Sequence, residues 1–246
     1  MITARPSRFS AEVAPSRRAL AIAAALVVAN ITLFVLIAED VLDGGGLVSH
    51  DDAVLAWFVD HRTDRSIRVA KLVSTLGAFV SLAIVSALIG IWLWRRGSQM
   101  LLAAAPLVSI SLGSLASTVA KSIFERERPP IDVHATTVTL AAFPSGHATN
   151  GAAFGLAAGL TLALTVAHHR WSKSLVVAAG LFFAALVGIS RLVLAVHWLS
   201  DVVAGWALGS AVALSVVVAI WWLTTLGQAS PTESSAHAAG GSGACP

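Results

Sequence analysis

The stretch Met100–Ile123, MLLAAAPLVSISLGSLASTVAKSI, decides the fold: it runs 24 residues with Lys121 as its only charge. As a helix rising ~1.5 Å per residue it reaches ~36 Å, enough to cross the ~30 Å hydrocarbon layer of a bilayer. The rest of the chain agrees. Its 246 residues are 57% hydrophobic and 12% charged, about half the charge of an ordinary soluble domain, which makes it an integral membrane protein by composition.

Working outward from this stretch, five further apolar segments have spanning length: Ala19–Ala38, Lys71–Trp94, Ala148–Ala167, Leu175–Ser190 with an extension toward Val196, and Asp201–Leu223. The expected fold is therefore all-α and polytopic, with six transmembrane helices. Pro106 is a possible kink in the third span, and Arg191 makes the fifth the softest in its boundaries. Between the first two spans, Asp43–Gly46 (DGGG) signals a turn. Asp51–Arg62 then mixes Val54, Leu55, Trp57, Phe58 and Val59 with Asp51, Asp52, Asp60 and His61, the pattern of a helix lying in the membrane interface. Residues 1–18 form a basic tail, 19–223 the membrane domain, and 224–246 a Ser-, Ala- and Gly-rich tail expected to be disordered.

The net charge of +3 belongs to topology and not to nucleic acid, because the basic residues form no continuous stripe. Arg5, Arg8, Arg17 and Arg18 precede the first span, Arg95 and Arg96 follow the second, and Arg170 and Lys173 follow the fourth. The positive-inside rule puts these regions and both termini in the cytoplasm. The lone cysteine, Cys245, excludes an internal disulfide and a cysteine-based zinc site. Trp57, Trp92, Trp94, Trp171, Trp221 and Trp222 read as interfacial anchors.

With this topology three informative segments reach the same, outer face: Lys121–Pro129 (KSIFERERP), Pro144–His147 (PSGH) and Ser190–Asp201 (SRLVLAVHWLSD). Charge facing lipid costs ~2.5–3.5 kcal/mol per residue on insertion scales, so ionisable groups at span ends ask for a function. Lys121, Arg128 and Arg191 offer three positive charges to a phosphate. Ser145 and Gly146 open a helix whose N-terminal N–H groups favour an anion, Ser145 as cap and hydroxyl donor, Gly146 by admitting the anion to the backbone. His197 and Asp201 are four residues apart, so a helical turn lets the carboxylate accept a ring N–H and leaves the other nitrogen free to attack. His147 is then the general acid for the leaving alkoxide. Arg126, Glu125 and Glu127 read as solvated loop charges, and His134 as a loop residue. His168 and His169 belong to the inner side, and Trp198 to packing beside His197.

Together, Lys121-x6-Arg128-Pro129, Pro144-Ser145-Gly146-His147 and Ser190-Arg191-x5-His197-x3-Asp201 resemble the three-part signature of the type-2 phosphatidic acid phosphatase superfamily, the integral membrane lipid phosphate phosphatases. The resemblance implies a phosphomonoesterase or diphosphatase working through a phosphohistidine without metal or other cofactor. In that scheme His197 is the nucleophile, Asp201 its partner and His147 the acid; Lys121, Arg128, Ser145, Gly146 and Arg191 bind phosphate. The implied partners are the bilayer and a lipid phosphate such as a polyprenyl diphosphate, phosphatidic acid or phosphatidylglycerol phosphate, with no obligatory protein partner. Spans rich in Ala, Val and Leu in a short chain suggest a bacterial plasma membrane. Competing readings are a lipid phosphotransferase, which discharges the same intermediate to an alcohol, and a non-catalytic lipid-binding or transport relative. A vanadate-dependent haloperoxidase shares the anion site but is soluble, which the apolar spans argue against.

Overall fold

A computed structural model describes residues 16–167 and 169–228. The tail residues 1–15 and 229–246, with Arg5, Arg8 and Cys245, and His168 lie outside the described residues. Eight α-helices follow one another, with no strand among the described residues: α1 Arg17–Asp43, α2 Asp51–His61, α3 Asp64–Leu76, α4 Phe79–Arg95, α5 Met100–Phe124, α6 Gly146–Thr165, α7 Arg170–Val193 and α8 Leu199–Gln228. The chain is an all-α, multi-pass membrane protein. Helices α1, α5, α6, α7 and α8 are each long and apolar enough to cross a bilayer, and α3 with α4 forms a sixth, bent candidate.

That bend corrects the sequence reading, in which Lys71–Trp94 is one continuous span. The helix breaks at Gly77–Ala78, where α3 and α4 meet at 54°. Ala78 is extended (ψ 147°), and the Thr75 carbonyl accepts both the Ala78 N–H at 3.2 Å and, across the gap, the Ser81 hydroxyl at 2.7 Å. Gly77 and Ala78 are apolar, so hydropathy cannot see the break. The tertiary setting does constrain the residue at the break: a side chain on Gly77 would collide with Val187 of α7.

Other boundaries shift for local reasons. Helix α1 runs past Ala38 to Asp43 and ends on Gly44, whose positive φ of 73° closes the cap with a bond from its N–H to the Asp40 carbonyl. The interfacial helix appears as α2, which carries acids in its first turn. Arg191 does not interrupt the fifth span; it lies buried in the last turn of α7. The sixth span ends at Leu223 as expected, while its helix α8 runs on to Gln228, into the stretch read as a disordered tail. Pro106 is accommodated within a helix that remains continuous.

The most buried span is α6, which packs against α5, α7 and α8. Its small residues make this possible. Gly155 of α6 and Gly180 of α7 face each other so closely that a Cβ on either would strike the other's carbonyl oxygen. Gly209 of α8 meets the Thr149 carbonyl of α6 in the same way. Lipid tails give apolar helices no hydrophobic reason to associate, so close backbone approach and dispersion carry the assembly. The consequence for function is positional. With α5, α6, α7 and α8 locked together, the end of α5, the start of α6, the end of α7 and the start of α8 converge on one face.

Candidate active site

Each signature residue is placed by a helix end. Lys121 sits in the last turn of α5, which stops at Glu125 in a left-handed conformation (φ 44°) and turns the chain toward Arg126 and Arg128. Ser145 is the N-cap of α6; its hydroxyl accepts the Ala148 N–H at 3.5 Å, and its own N–H donates to the Asp201 carbonyl at 2.9 Å. Arg191 closes α7. His197 lies in the short connection to α8, and Asp201 lies in the first turn of α8, where Oδ2 accepts the Trp198 N–H at 2.9 Å. A carboxylate is favoured there by the unpaired N–H groups and the helix dipole.

These ends enclose a cavity of about 240 Å³. Lys121, Arg128, Gly146, His147, Arg191 and His197 line it, and Val138, Thr139 and Leu140 from the α5–α6 connection close one wall. The three cations expected around a phosphate thus share one chamber with both histidines. Ser145 and Asp201 do not reach its wall; both are fully buried behind it. In this form the cations rest on carbonyl oxygens. Lys121 donates to Ala141 and, at 3.1 Å, to Ala142. Arg128 donates to Leu140 at 2.6 Å and to Val196. Arg191 donates to the Ser74 hydroxyl of α3, and its buried Nε–H has no acceptor among the described residues. Unsatisfied buried N–H groups are costly, so this donor favours an incoming anion.

The contacts of His197 determine its tautomer. Nδ1 lies 3.2 Å from Asp201 Oδ2, and Nε2 lies 3.1 Å from an Nη of Arg128. Guanidinium can only donate and carboxylate can only accept. The proton therefore sits on Nδ1, and the Nε2 lone pair faces the cavity. Burial holds His197 well below the ordinary imidazole value, and the charges of Arg128, Arg191, Lys121 and His147 push in the same direction. The ring is neutral at neutral pH, the form that can act as a nucleophile. His147 makes no hydrogen bond among the described residues, so no carboxylate pairs with it as Asp201 pairs with His197.

One sequence expectation is overturned. Arg126 is not a solvated loop charge: its side chain is 14% exposed and bridges two carboxylates, Asp51 of α2 and Asp201, at 2.7 Å each. Asp51 is 3% exposed and accepts from the Ser200 N–H at 2.9 Å and the Ser200 hydroxyl at 2.6 Å. Sequence reasoning missed this trio. Asp51 resembles any acid at a helix start, and Arg126 any charge in a polar loop; their meeting spans 75 positions. Trp198 braces the assembly, with its indole N–H on the Glu127 carbonyl at 2.9 Å and its ring 5.7 Å from the Arg126 guanidinium carbon. His134 is held within its loop by the Pro129 carbonyl, 2.9 Å from Nε2.

A family model described as the PAP2 superfamily matches residues 102–225. Among solved structures, the chain resembles the first transmembrane PAP2 type phosphatidylglycerolphosphate phosphatase from Bacillus subtilis, with a TM-score of 0.67 and 24% identity over 81% of this chain and 95% of that one. It also resembles Aquifex aeolicus LpxE, with a TM-score of 0.54 and 16% identity over 68% of this chain and 94% of that one. At these identities the likeness is one of fold. No curated protein matches the chain.

Proposed function

Because this chain belongs to the PAP2 superfamily, whose model it matches over half its length, we propose that it is a membrane-embedded lipid phosphatase acting through a phosphohistidine. The carrying observation is the cavity in which three cations surround a neutral His197 whose unprotonated Nε2 faces inward and now accepts from Arg128. The phosphoryl oxygens take the place of the carbonyls that now hold Lys121 and Arg128, and they engage the free Arg191 donor. Ser145 and Gly146 supply the helix N-terminus beneath them.

The chemistry then runs in two balanced steps. His197 Nε2 forms a bond to phosphorus as the bond to the leaving oxygen breaks, and His147 gives that oxygen its proton. Water next attacks the phosphohistidine, His147 takes the water's proton, and inorganic phosphate leaves with both histidines restored. Asp201 holds the Nδ1 proton throughout and steadies the cationic ring. The cations and the helix N-terminus stabilise charge spread over the phosphoryl oxygens in the transition state.

A lipid suits the surroundings. A cleft of about 370 Å³ between α3 and α7 is walled by Val69, Val73, Leu186, Ile189 and Val193, with Thr63, Arg65 and Ser66 also in its lining, and it includes Ser190, the chain neighbour of Arg191. The site faces the outer leaflet of a plasma membrane in this proposal, because Arg95, Arg96, Arg170 and Lys173 mark the opposite face as cytoplasmic. Polyprenyl diphosphates, phosphatidic acid and phosphatidylglycerol phosphate are the substrate classes of choice.

The test is phosphate release from a panel of these lipids by the purified full chain in detergent or vesicles. Turnover that persists in excess chelator and is blocked by vanadate is expected. Strict dependence on an added divalent ion overturns the scheme. A second expectation concerns His147: alanine there should damage turnover of alkoxide leaving groups by ~10²–10⁴-fold and spare substrates whose leaving group needs no proton. Equal damage to both removes His147 from the acid role.

A further inference from the structure

Behind the proposed nucleophile lies a chain of charged contacts that the two-step scheme does not use. Asp51 Oδ2 accepts from one Nη of Arg126 at 2.7 Å, and the other Nη donates to Asp201 Oδ1 at 2.7 Å and to the Ser200 hydroxyl at 2.6 Å. Asp201 Oδ2, the remaining oxygen, faces His197 Nδ1. The links come from four places: α2, the loop after α5, the start of α8 and the α7–α8 connection.

The charges show what the arrangement achieves. Arg126 alone would cancel the Asp201 carboxylate, which then could do little for a cationic imidazole. Asp51 restores the balance: two carboxylates and one guanidinium sum to −1 while His197 is neutral, and the total reaches zero when the ring becomes cationic. A paired cation beside a buried carboxylate also fixes its orientation, because a fork of N–H donors defines the direction of the oxygen it holds.

We propose that Asp51 and Arg126 are positioning residues for the phosphohistidine step. Arg126 aims the Asp201 carboxylate so that Oδ2 meets Nδ1–H. Asp51 supplies the negative charge that keeps the cluster matched to a phosphorylated, cationic His197. This rests on the function proposed above, and it ties the interfacial helix α2 to the chemistry, since the first residue of that helix is linked through Arg126 and Asp201 to the reactive imidazole.

Asp51→Asn in the full chain is the sharpest test, since it is nearly isosteric and keeps an acceptor for the Ser200 N–H. Turnover should fall about ten- to a hundredfold, by analogy with the hydrogen-bond partners that orient metal-ligating histidines. KM should stay within about twofold, and rapid-quench formation of the phosphohistidine should slow with kcat. Unchanged kcat, or a loss carried by KM, overturns the proposal. A substrate-free measurement separates this idea from the function it rests on. ¹⁵N shifts of His197 should report a single Nδ1–H tautomer in the wild type and a mixture in Arg126→Ala. A wild type that releases no phosphate from the panel defeats the phosphatase reading; an unchanged tautomer in Arg126→Ala defeats the positioning role, whether or not Asp51→Asn folds.

Discussion

His197→Ala is expected to lower phosphate release by at least ~10²-fold, the scale for losing a group that reacts or moves protons in the transition state, while substrate still binds. The reasoning is geometric. The other ionisable groups lining the cavity, Lys121, Arg128, Arg191 and His147, address oxygens in the proposed scheme, and only His197 offers a lone pair to phosphorus. Because Nδ1 is committed to Asp201, the trapped adduct should be linked through Nε2, stable in base and labile in acid. Wild-type enzyme quenched during turnover should contain it, and the alanine variant should not. Brisk turnover with no adduct, or an adduct through Nδ1, contradicts the scheme at its centre.

Asp201→Asn should cost nearly as much, ~10²–10⁴-fold in kcat, by analogy with the buried aspartate of serine-protease triads. The substitution preserves shape and removes charge. An asparagine can turn its NH₂ toward Nδ1, which moves the ring proton to Nε2 and hides the attacking lone pair. It also leaves the Arg126 cation facing one carboxylate in place of two. Substrate affinity should change little, because Asp201 is fully buried and is not part of the cavity lining. The check is a kcat-to-KM comparison with the ¹⁵N spectrum of His197, where a switch to the Nε2–H tautomer is the expected signature. Wild-type kcat in this variant excludes Asp201 as the partner of the nucleophile.

Much of the fold was legible in the order of residues. A span announces itself because a run of some twenty apolar side chains has one stable environment, and its helical form follows from the need to satisfy every backbone group internally. Interfacial helix α2 was legible for the same kind of reason, through its mixed faces. The break at Gly77–Ala78 was not, since both residues are as apolar as their neighbours and the close packing of Gly77 on Val187 involves another helix. Likewise Arg191 reads as an interruption when charges are counted along the chain. It proves to be the last turn of α7, because Ser74 of α3 receives it.

For the candidate site the division is sharper. The residue types and spacings of the three signature segments pointed by themselves to phosphate chemistry: His197 and Asp201 are only four residues apart, with His197 just ahead of α8 and Asp201 in its first turn, and the cations stand at span ends. Local rules suffice for that. Which of those groups face the cavity and which stand behind it, the tautomer of His197, and the recruitment of Asp51 and Arg126 were decided by the packing of α5, α6, α7 and α8 together and of α2 against α8. These depend on distances between residues as many as 149 positions apart. Such distances are set by the closeness of glycine-bearing helices in three dimensions and leave no periodic trace along the chain.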